Sequence, residues 1–412
     1  MAKKLRIAVW YNLPSGGGKR ALYYHVQGLV ERGHTVEAWR PPIPDSSFAS
    51  LSELIQEHEV PLNVLGEGRN YLDRIVRHVA KTRLLLKSMK EHSQRCAQEM
   101  ATGNWDVLFA NTDHYFSSPF ISRYAKLPSA LYLGEPRRPF YEALPELPWI
   151  ALPEDIRRGY SWMAVKKRVR DRFDMAELRI EAREELENAR AFSKILVNSY
   201  FSRESVMRAY GLNSEVCYLG IDTDKFVDLG LPREPFVIGL GTIARTKNVE
   251  LAIRAIGAIT APRPSLVWVG NMSDPVYVPQ MAELAKSLGV DFQPKKMIPD
   301  EELIRLLNLA SAMLYTSRLE PFGLAPLEAN ACGLPVVAVA EGGVRETVVD
   351  GLNGRLLPHD PQILGAAVAE MLANPQESRQ MGQVARRMVQ EKWTITSCVD
   401  RIEDALLRTA GI

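Results

Sequence analysis

Short apolar runs alternate along the chain with helical patterns that begin near glycine. In the first half the apolar runs are residues 5–10, 34–39, 105–111, 129–134 and 193–199. In the second half they are residues 236–241, 265–270, 290–293, 312–317 and 335–339. After the first run, Leu22, Val26, Leu29 and Val30 fall on one helical face. Strands that alternate with helices predict parallel sheets covered by helices on both faces.

Two successive series of this kind predict an α/β protein with two Rossmann-like domains. The 412 residues are enough for two domains, and possibly a third. We expect an N-terminal domain over residues 1–212 and a C-terminal domain over 213–392. The last segment, 393–412, has helical spacing, and we expect it to cross back to the first domain.

Composition narrows the class of protein. The formal net charge is +2, so no overall basic field favours a nucleic-acid partner. None of the four cysteines belongs to a C-x-x-C pair, which argues against structural zinc and a disulfide framework. The sequence contains no stretch of eighteen apolar residues, so no membrane-spanning helix is predicted. The N-terminal apolar run is too short for a signal sequence. A cytoplasmic location is therefore expected.

Two basic segments interrupt the alternation. Residues 69–95 contain eight Lys or Arg and two acids, and residues 157–183 contain nine and four. Apolar residues lie among the charges, with Leu72, Ile75, Val76 and Val79 in the first segment and Trp162, Met163 and Phe173 in the second. These segments are either solvated faces of amphipathic helices or surfaces for an anionic membrane or acceptor. The second of these interpretations predicts peripheral contact with the inner membrane face.

Glu320 and Glu328 lie eight residues apart in an otherwise apolar stretch. The preceding strand is predicted to end near Ser317, which places Glu320 in the loop at the carboxyl edge of a parallel sheet, where such sheets bind ligands. A helix is predicted from Leu324 to Ala331, so Glu328 lies on its first turns. The alternative is a solvated turn residue and a surface acid.

The backbone at the start of this helix favours an anion. The N–H groups of Phe322, Gly323 and Leu324 would point from the helix start. Glu320 in the loop would suit a polyol, the start of the helix would suit a diphosphate, and Glu328 on the helix would suit a ribose. Near the N-terminus, Gly17 and Gly18 belong to a second glycine-rich turn before a helix, which is either an anion-binding loop or a plain tight turn.

The stretch "EPFGLAPLEANACGLPVVA" resembles the E-x₇-E signature of the retaining family 4 glycosyltransferases. Segments 198–211, 219–226 and 342–357 are also similar to that family. The resemblance is dense from about residue 193 to 393. It implies the GT-B architecture, in which the two Rossmann-like domains face each other across a cleft.

The resemblance also implies roles on the donor side. Glu320 would contact hydroxyls of the transferred sugar and Glu328 the nucleotide ribose, while Phe322, Gly323 and Leu324 would meet the sugar and diphosphate. In "GTIARTKN", Lys247 matches a phosphate-binding lysine, but Thr242 stands where the family has an arginine. Arg245 is either a substitute for that arginine or a solvated cation. The first-domain loop with Gly17 and Gly18 would face the diphosphate.

On the acceptor side the match is looser. Asn111 occupies a position where many members have a histidine, and Asp113 and His114 follow it as catalytic candidates beside Glu320. His114 could equally be a structural group. Gly134 stands where some members of the family have a second histidine. The residues that remain as acceptor candidates, or else as members of a charged loop, are Glu135, Arg137 and Arg138.

The implied activity is metal-independent transfer of a sugar, with retention, from a UDP- or GDP-linked donor to a sugar or lipid-linked acceptor. No Asp-x-Asp lies in a suitable loop, so no metal or other cofactor is expected, and cations would stabilise the leaving diphosphate. The alternatives are a sugar-nucleotide epimerase and a non-catalytic sugar-nucleotide-binding protein. The sugar, the base, the acceptor and the oligomeric state stay open.

Overall fold

A computed structural model describes residues 3–42, 48–63, 71–143, 146–271 and 273–412, and of residues 71–81 only the backbone. The chain divides into two compact units. The first unit comprises residues 1–198, 202–217 and 399–412, and the second comprises 199–201 and 218–398.

The first unit is built on a parallel sheet of seven strands. Its strands are β1 (Arg6–Asn12), β2 (Thr35–Arg40), β3 (Gln56–Glu59), β4 (Val107–Asp113), β5 (Ser129–Tyr132), β6 (Lys194–Val197) and β7 (Glu215–Val216). Its helices are α1 (Gly17–Glu31), α2 (Tyr71–Met100), α3 (Glu154–Arg158), α4 (Trp162–Ala191) and α5 (Tyr200–Tyr210), of which the first residues of α5 belong to the second unit. The strand order is β3-β2-β1-β4-β5-β6-β7, so the direction of winding reverses between β1 and β4.

The second unit has a parallel sheet of six strands with the corresponding order. Its strands are β8 (Phe236–Leu240), β9 (Ser265–Gly270), β10 (Phe292–Lys296), β11 (Ala312–Tyr315), β12 (Val336–Val339) and β13 (Gly354–Leu357). Its helices are α6 (Val249–Gly257), α7 (Tyr277–Ser287), α8 (Asp300–Leu309), α9 (Leu324–Ala331), α10 (Val344–Thr347), α11 (Pro361–Ala373) and α12 (Pro375–Lys392). The order β10-β9-β8-β11-β12-β13 places the reversal between β8 and β11. The two Rossmann-like sheets predicted from the alternation are therefore confirmed.

The last helix, α13 (Ile395–Thr409), packs in its larger part on the first unit. Val399 lies so close to α1 that a Cβ built on Gly28 would come within 2.5 Å of the Val399 Cγ2 atom. Arg32 at the end of α1 forms ion pairs with Asp400 and Glu403 of α13. Apolar contact and charge pairs thus hold the C-terminal residues against the first unit.

Apolar side chains fill both units around their sheets. In the first unit the buried cluster includes Trp10, Trp39 and Leu131, and in the second it includes Trp268 and Leu314. The central strands are buried on both faces, as parallel sheets with helices on both sides require.

Helix α9 is held at its C-terminal end by a tight backbone turn. Cys332 is the last half-helical residue, and Gly333 follows with a φ of 66°. The N–H of Gly333 donates to the carbonyl of Asn330, and the N–H of Leu334 to that of Ala329, which is a Schellman motif. Helix α12 then packs directly on this turn, because the Cβ of any larger residue at Gly382 would lie 2.0 Å from the Gly333 carbonyl oxygen.

This contact predicts that Gly382→Ala destabilises the second unit. An added methyl group would force α12 away from the end of α9, and overpacking of this kind typically costs about 1–3 kcal/mol. The midpoint of urea unfolding should therefore fall. The matched control is Gln383→Ala on the exposed side of the same helix, which should leave the midpoint nearly unchanged. Equal midpoints for the two variants would contradict the close packing.

Candidate functional site

The reversal of winding in the second sheet brings two loops together. The loop after β8 covers residues 241–248, and the loop after β11 covers 316–323. The Thr316 hydroxyl donates to the carbonyls of Lys247 and Asn248, both at 3.0 Å, and the Arg318 N–H donates to the Thr246 carbonyl. This is the point where open parallel sheets bind ligands, and here both loops are joined through their backbones.

A charge pair lies at the meeting point of these loops. Lys247 Nζ is 2.5 Å from the Glu320 carboxylate, and both side chains are less than a quarter exposed. The stem of Lys247 crosses Gly241, since a Cβ there would lie 3.2 Å from Lys247 Cε. A larger residue than glycine at 241 would push the ammonium group away from the carboxylate. The predicted donor residues Lys247 and Glu320 are therefore neighbours in space.

The backbone beside each member of the pair is unusual. Asn248, directly after Lys247, has a φ of 51°, and Leu319, directly before Glu320, has a φ of 46°. Asparagine tolerates this left-handed region, but leucine does so only at a cost. Such strain persists where the surrounding structure fixes the conformation, and it is common at functional sites.

Tyr315 lies beneath the charge pair at the end of β11. Burial raises the pKa of its phenol well above the usual value, and the nearby charges of Glu320 and Glu328 raise it further. The phenol therefore stays protonated and lies within hydrogen-bonding reach of the Glu320 carboxylate. Tyr315 was not predicted, although a tyrosine as the last residue of a central strand, five positions before a loop acid, was a usable signal.

Glu328 is buried on α9, with 2% of its surface exposed. The helix has the bounds expected for it, and it begins after Gly323, whose φ of 97° favours glycine. Gly323, the N-cap residue, has no side chain that could cap the first turn. Glu328 is therefore not the surface acid of the alternative interpretation, and Tyr315 links it electrostatically to Glu320.

Two consecutive glycines hold the loop that contains Glu320. The Gly343 N–H donates to the Glu320 carbonyl at 2.7 Å. A Cβ on Gly342 would lie 2.4 Å from that carbonyl oxygen, and one on Gly343 would lie 2.0 Å from the Pro321 carbonyl oxygen. Gly342 and Gly343 therefore serve a close backbone approach.

Two buried asparagines, one in α9 and one in the 342–357 segment, have structural roles. Asn330 of α9 donates to the carbonyls of Leu334 and Asn353, and the Asn353 amide donates to Asn330 Oδ1 and to the Thr347 carbonyl. Both asparagines are fully buried. Buried amides must be hydrogen-bonded, and this network provides the partners of both. It therefore explains why asparagine stands at these two positions without any contact with a ligand.

Arg245 and Thr242 belong to the same turn as Lys247 but make different contacts. The Arg245 guanidinium lies over the ring of Tyr277, 5.5 Å from its centroid, and the side chain is exposed. The Thr242 carbonyl accepts from the Ala244 N–H. The structure thus gives Arg245 an aromatic support, and its substitution for the missing arginine stays a prediction.

The first sheet has a corresponding site at its own reversal of winding. Asn12 ends β1 and Asp113 ends β4, and the Asn12 amide donates to the Asp113 carboxylate at 2.6 Å. The N–H groups of Tyr115 and Phe116 also donate to Asp113, and the His114 N–H donates to the Asn12 carbonyl. Asn12 was missed because a strand-ending asparagine has no distinctive spacing in the sequence.

Asp113 and Glu185 are two buried carboxylates of this first site. Burial raises the pKa of Asp113 to about 7, against the hydrogen bonds that it accepts, and the charge of Glu185 raises it as well. Burial also raises the pKa of Glu185 to about 7, although the N–H groups of Ser117 and Ser118 donate to it. Glu185 lies in the middle of α4's charged sequence, so only the structure identifies it.

The residues expected on the acceptor side have varied surroundings. Asn111 is buried in β4, and its amide nitrogen has no hydrogen-bond partner within the described residues. Arg138 pairs with Glu135 at 2.5 Å. Arg137 donates to the Tyr115 carbonyl and pairs with Glu181 of α4, so it holds the loop in place.

The glycine-rich turn of the first unit leads directly into α1. The helix begins at Gly17, and a Cβ on Gly18 would meet only Leu13 Cδ2 at 3.6 Å, which is ordinary contact. The packing inside the first unit therefore does not require glycine at position 18. The roles of Gly17 and Gly18 toward a donor stay predictions.

In the ranges that the structure describes, no group of three or more His, Cys, Asp or Glu residues could hold a metal ion. Over the same residues, each helix is too short or too polar to cross a bilayer.

The buried carboxylates predict a pH dependence of stability. Because the folded-state pKa of Asp113 and Glu185 is near 7 and the unfolded value near 4, the folded state holds extra protons between those values. Stability should therefore fall as the pH rises from 5 to 8, by roughly 1 kcal/mol or more. Urea unfolding of wild type and Asp113→Asn measures the change.

The variant should have a shallower pH dependence than wild type, since an amide does not titrate. Asp155→Asn replaces an exposed carboxylate of the same unit and should leave the wild-type dependence in place. If Asp113→Asn keeps the full wild-type slope, Asp113 is already ionised at low pH in the folded state.

Comparison with known proteins gives a consistent result. Residues 221–388 match the family model described as glycosyl transferases group 1. A GDP-mannose-dependent alpha-(1-6)-phosphatidylinositol monomannoside mannosyltransferase from Mycolicibacterium smegmatis is 30% identical over 220 residues, which are 47% of this chain and 57% of that protein. The chain spans about half the length of the curated relatives it matches.

Solved structures match over nearly the whole chain. The sucrose-phosphate synthase from Thermosynechococcus elongatus has a TM-score of 0.73 at 18% identity, with 98% of this chain and 99% of that chain covered. Anabaena HepE in complex with UDP-glucose has a TM-score of 0.67 at 19% identity, with 98% and 100% covered. At such identities the likeness concerns the fold, which is the two-Rossmann GT-B fold. The similarity to glycosyl transferases group 1 at the level of sequence concerns residues 221–388, which lie in the second unit.

Proposed function

We propose that the protein transfers a sugar from a nucleotide-sugar donor to an acceptor hydroxyl, with retention of anomeric configuration and without an essential metal ion. The observation that carries the proposal is the Lys247–Glu320 pair, which lies with Tyr315 and the buried Glu328 at the reversal of winding in the second sheet. This arrangement lies inside the segment that matches the glycosyltransferase family.

The groups of this site suit the parts of such a donor. Lys247 is a cation for the diphosphate, and the N–H groups at the start of α9 add partial positive charge. Glu320 is placed to accept from sugar hydroxyls. Glu328, two helical turns or less from the start of α9, would accept from the ribose hydroxyls. Tyr315 would fix the position of Glu320 from below.

Electrostatic attraction favours contact of Lys247 with a donor diphosphate over its pairing with Glu320 alone. The Lys247 ammonium is shared with Glu320 at 2.5 Å, and a diphosphate would offer it more negative charge. As the bond to the sugar breaks, charge grows on the leaving diphosphate, and a fixed cation stabilises that charge more than it stabilises the ground state. A cation in this position performs the charge compensation for which other transferases use a divalent metal, which is why we propose metal independence.

Retention is proposed through front-face attack, in which the leaving phosphate takes the proton of the acceptor hydroxyl. Supporting this route, the acids proposed for the donor site are the paired Glu320 and the buried Glu328, whose surroundings suit binding better than displacement. A UDP- or GDP-linked donor is proposed because the similar proteins named above use or bind such compounds.

The first unit is proposed to bind the acceptor. Asp113, Asn12 and His114 lie at the carboxyl edge of its sheet, where a hydroxyl-bearing ligand would find both acceptors and donors. A sugar or lipid-linked acceptor is proposed, in keeping with the phosphatidylinositol monomannoside in the name of the mycobacterial relative. We also propose a cytoplasmic location, because the four cysteines are free thiols.

A donor and acceptor screen tests the function. UDP- and GDP-linked sugars are first ranked by thermal shift, since a ligand at about 100 times its dissociation constant adds about 2.7 kcal/mol. Transfer is then measured on candidate acceptors with and without EDTA, and NMR gives the anomeric configuration of the product. The expected result is an EDTA-resistant product with the donor's configuration. Binding without turnover, epimerised donor without transfer, an inverted product or loss of activity with EDTA would each contradict the corresponding part.

Substitutions in the donor site should separate binding from turnover. Lys247→Ala should lower kcat/KM at least about 100-fold, because it removes a charge that acts on the transition state. Glu328→Gln should weaken donor binding by about 1.5–3 kcal/mol, the range for hydrogen bonds to charged groups. Glu320→Gln should mainly lower kcat. Arg245→Ala should lower activity only if it replaces the arginine missing at Thr242.

The matched control for Lys247→Ala is Lys286→Ala, an exposed lysine on α7 in the same unit. It should keep wild-type kinetics. Each variant is checked by its urea midpoint, so that lost activity is not lost folding. Wild-type turnover by folded Lys247→Ala and Glu320→Gln proteins would show that the charge pair is only structural.

A further inference from the structure

Helix α4 exposes an apolar face to solvent over its first half. Between residues 162 and 184 only Ala164 is buried, whereas the last part of the helix packs on the first unit through Glu185, Asn188 and Ala189. Trp162 is 80% exposed, Met163 65%, Val169 49% and Phe173 44%. Scattered exposed apolar residues need no explanation, but several on one helix do.

Three of these side chains, Trp162, Val169 and Phe173, share one face of the helix with Lys166. At about 100° per residue, Trp162, Lys166, Val169 and Phe173 follow one another at intervals of four, three and four residues, which keeps them in line. Ala164, the buried residue, lies on the opposite side. Arg170 flanks the line. We call Trp162, Lys166, Val169, Arg170 and Phe173 the docking face.

The surroundings of the docking face are strongly basic. Between residues 157 and 173 there are seven Lys or Arg and one acid, Asp171. Among the described residues, no carboxylate lies within ion-pair distance of Lys166, Lys167 or Arg172. Arg170 reaches Asp174 only at 3.5 Å, with both side chains largely exposed. Most of this positive charge is therefore uncompensated.

The same region is reinforced by α3. Arg168 of α4 donates to the carbonyl of Arg157 at the end of α3, and the two helices approach at Gly159, where a Cβ would lie 3.1 Å from the Ala164 Cβ of α4. Arg157 and Arg158 thus stay beside the start of α4. The other basic segment, residues 69–95, is not part of the docking face. Residues 69 and 70 lie outside the described residues, as do the side chains of Leu72, Ile75, Val76 and Val79.

An anionic bilayer is the partner that matches these features. Tryptophan prefers the membrane–water interface, and lysine or arginine beside an apolar stripe binds anionic headgroups. The basic residues lie along the apolar stripe itself, so a partner must accept rings and charges at one depth, as an interface of headgroups and acyl chains does. A nucleic acid would satisfy the charges but would leave Trp162, Val169 and Phe173 in contact with water.

We propose that the docking face of α4 binds reversibly to bilayers that contain anionic lipids, with Trp162 and Phe173 inserted at the level of the headgroups. Lys166 and Arg170 contact the lipid phosphates. The face belongs to the first unit, and the proposal is independent of glycosyl transfer. If transfer occurs as proposed, the same contact brings the protein to acceptors anchored in a membrane.

Vesicle sedimentation with the full chain tests the proposal. Wild type should sediment with vesicles of phosphatidylcholine and phosphatidylglycerol at low salt, and stay in solution with phosphatidylcholine alone. Salt near 1 M should release it, because the Debye length falls to about 3 Å. Lys166→Glu with Arg170→Glu should lower partitioning by about 25-fold or more, since each basic residue near an anionic surface contributes about five-fold. Trp162→Ser with Phe173→Ser should lower it about tenfold or more.

Two control pairs match these changes in the second unit. Lys286→Glu with Arg305→Glu reverses two exposed charges on α7 and α8, and Leu352→Ser with Ile363→Ser removes two exposed apolar side chains. Both should partition like wild type. All proteins are compared by urea midpoint and by nucleotide-sugar thermal shift, which the docking-face variants should leave unchanged.

Quenching by brominated anionic lipid distinguishes insertion from charge attraction. Wild-type tryptophan fluorescence should be quenched more than that of Trp162→Phe, which keeps an aromatic ring in the face. Equal sedimentation with neutral and anionic vesicles, wild-type partitioning of both docking-face variants, or equal quenching of Trp162→Phe and wild type would overturn the proposal. So would binding of a soluble polyanion with the same dependence on the docking face and no effect of vesicles.

Discussion

The pair between Lys247 and Glu320 is the interaction on which the candidate site depends. Two charged groups that are largely removed from water are stable only if they are close together and well fixed. The structure fixes both through the backbone: Thr316 binds the carbonyl of Lys247, and Gly343 binds that of Glu320. The left-handed conformations of Asn248 and Leu319 show how firmly the two loops are held. The backbone beside both the ammonium and the carboxylate is thus fixed by hydrogen bonds to neighbouring loops.

Around this pair, two kinds of polar residue must be distinguished. Asn330 and Asn353 use their hydrogen bonds on each other and on nearby carbonyls, and so complete the fold. Lys247 and Glu320 pair with each other at the edge of the sheet, with Tyr315 beside the carboxylate, and a ligand there could replace either partner. The distinction cannot be made from residue type, because both kinds lie within the segments that resemble the same family. It requires the positions of the hydrogen-bond partners.

The fold could be predicted from the sequence wherever a strand was central. Buried strands such as β8 and β11 are continuous apolar runs, and α9 begins and ends at glycines that the sequence displays. At the edges the prediction was poorer: the run at 290–293 overlaps β10 only in part, and β3 and β13 were not predicted. Strand β3 is the polar sequence QEHE, and β13 is a short run in which three of four residues are only partly buried. Edge strands have few apolar neighbours, so their sequences carry little pattern. Asn12 and Glu185 were missed for a related reason, since each contacts residues that are distant in the sequence. Tyr315 differs, because Glu320 lies only five positions after it.

The clamping of α9 has a consequence for how the site can vary. At one end a pair of glycines presses on the loop before the helix, and at the other Gly382 rests on the carbonyl of Gly333. Both contacts involve backbone atoms, so the position of the helix does not depend on the side chains that surround Glu328. Residues that face a ligand can then be exchanged without moving the helix that presents them. Such a scaffold permits related proteins to diverge in what they recognise while the placement of their acids stays constant.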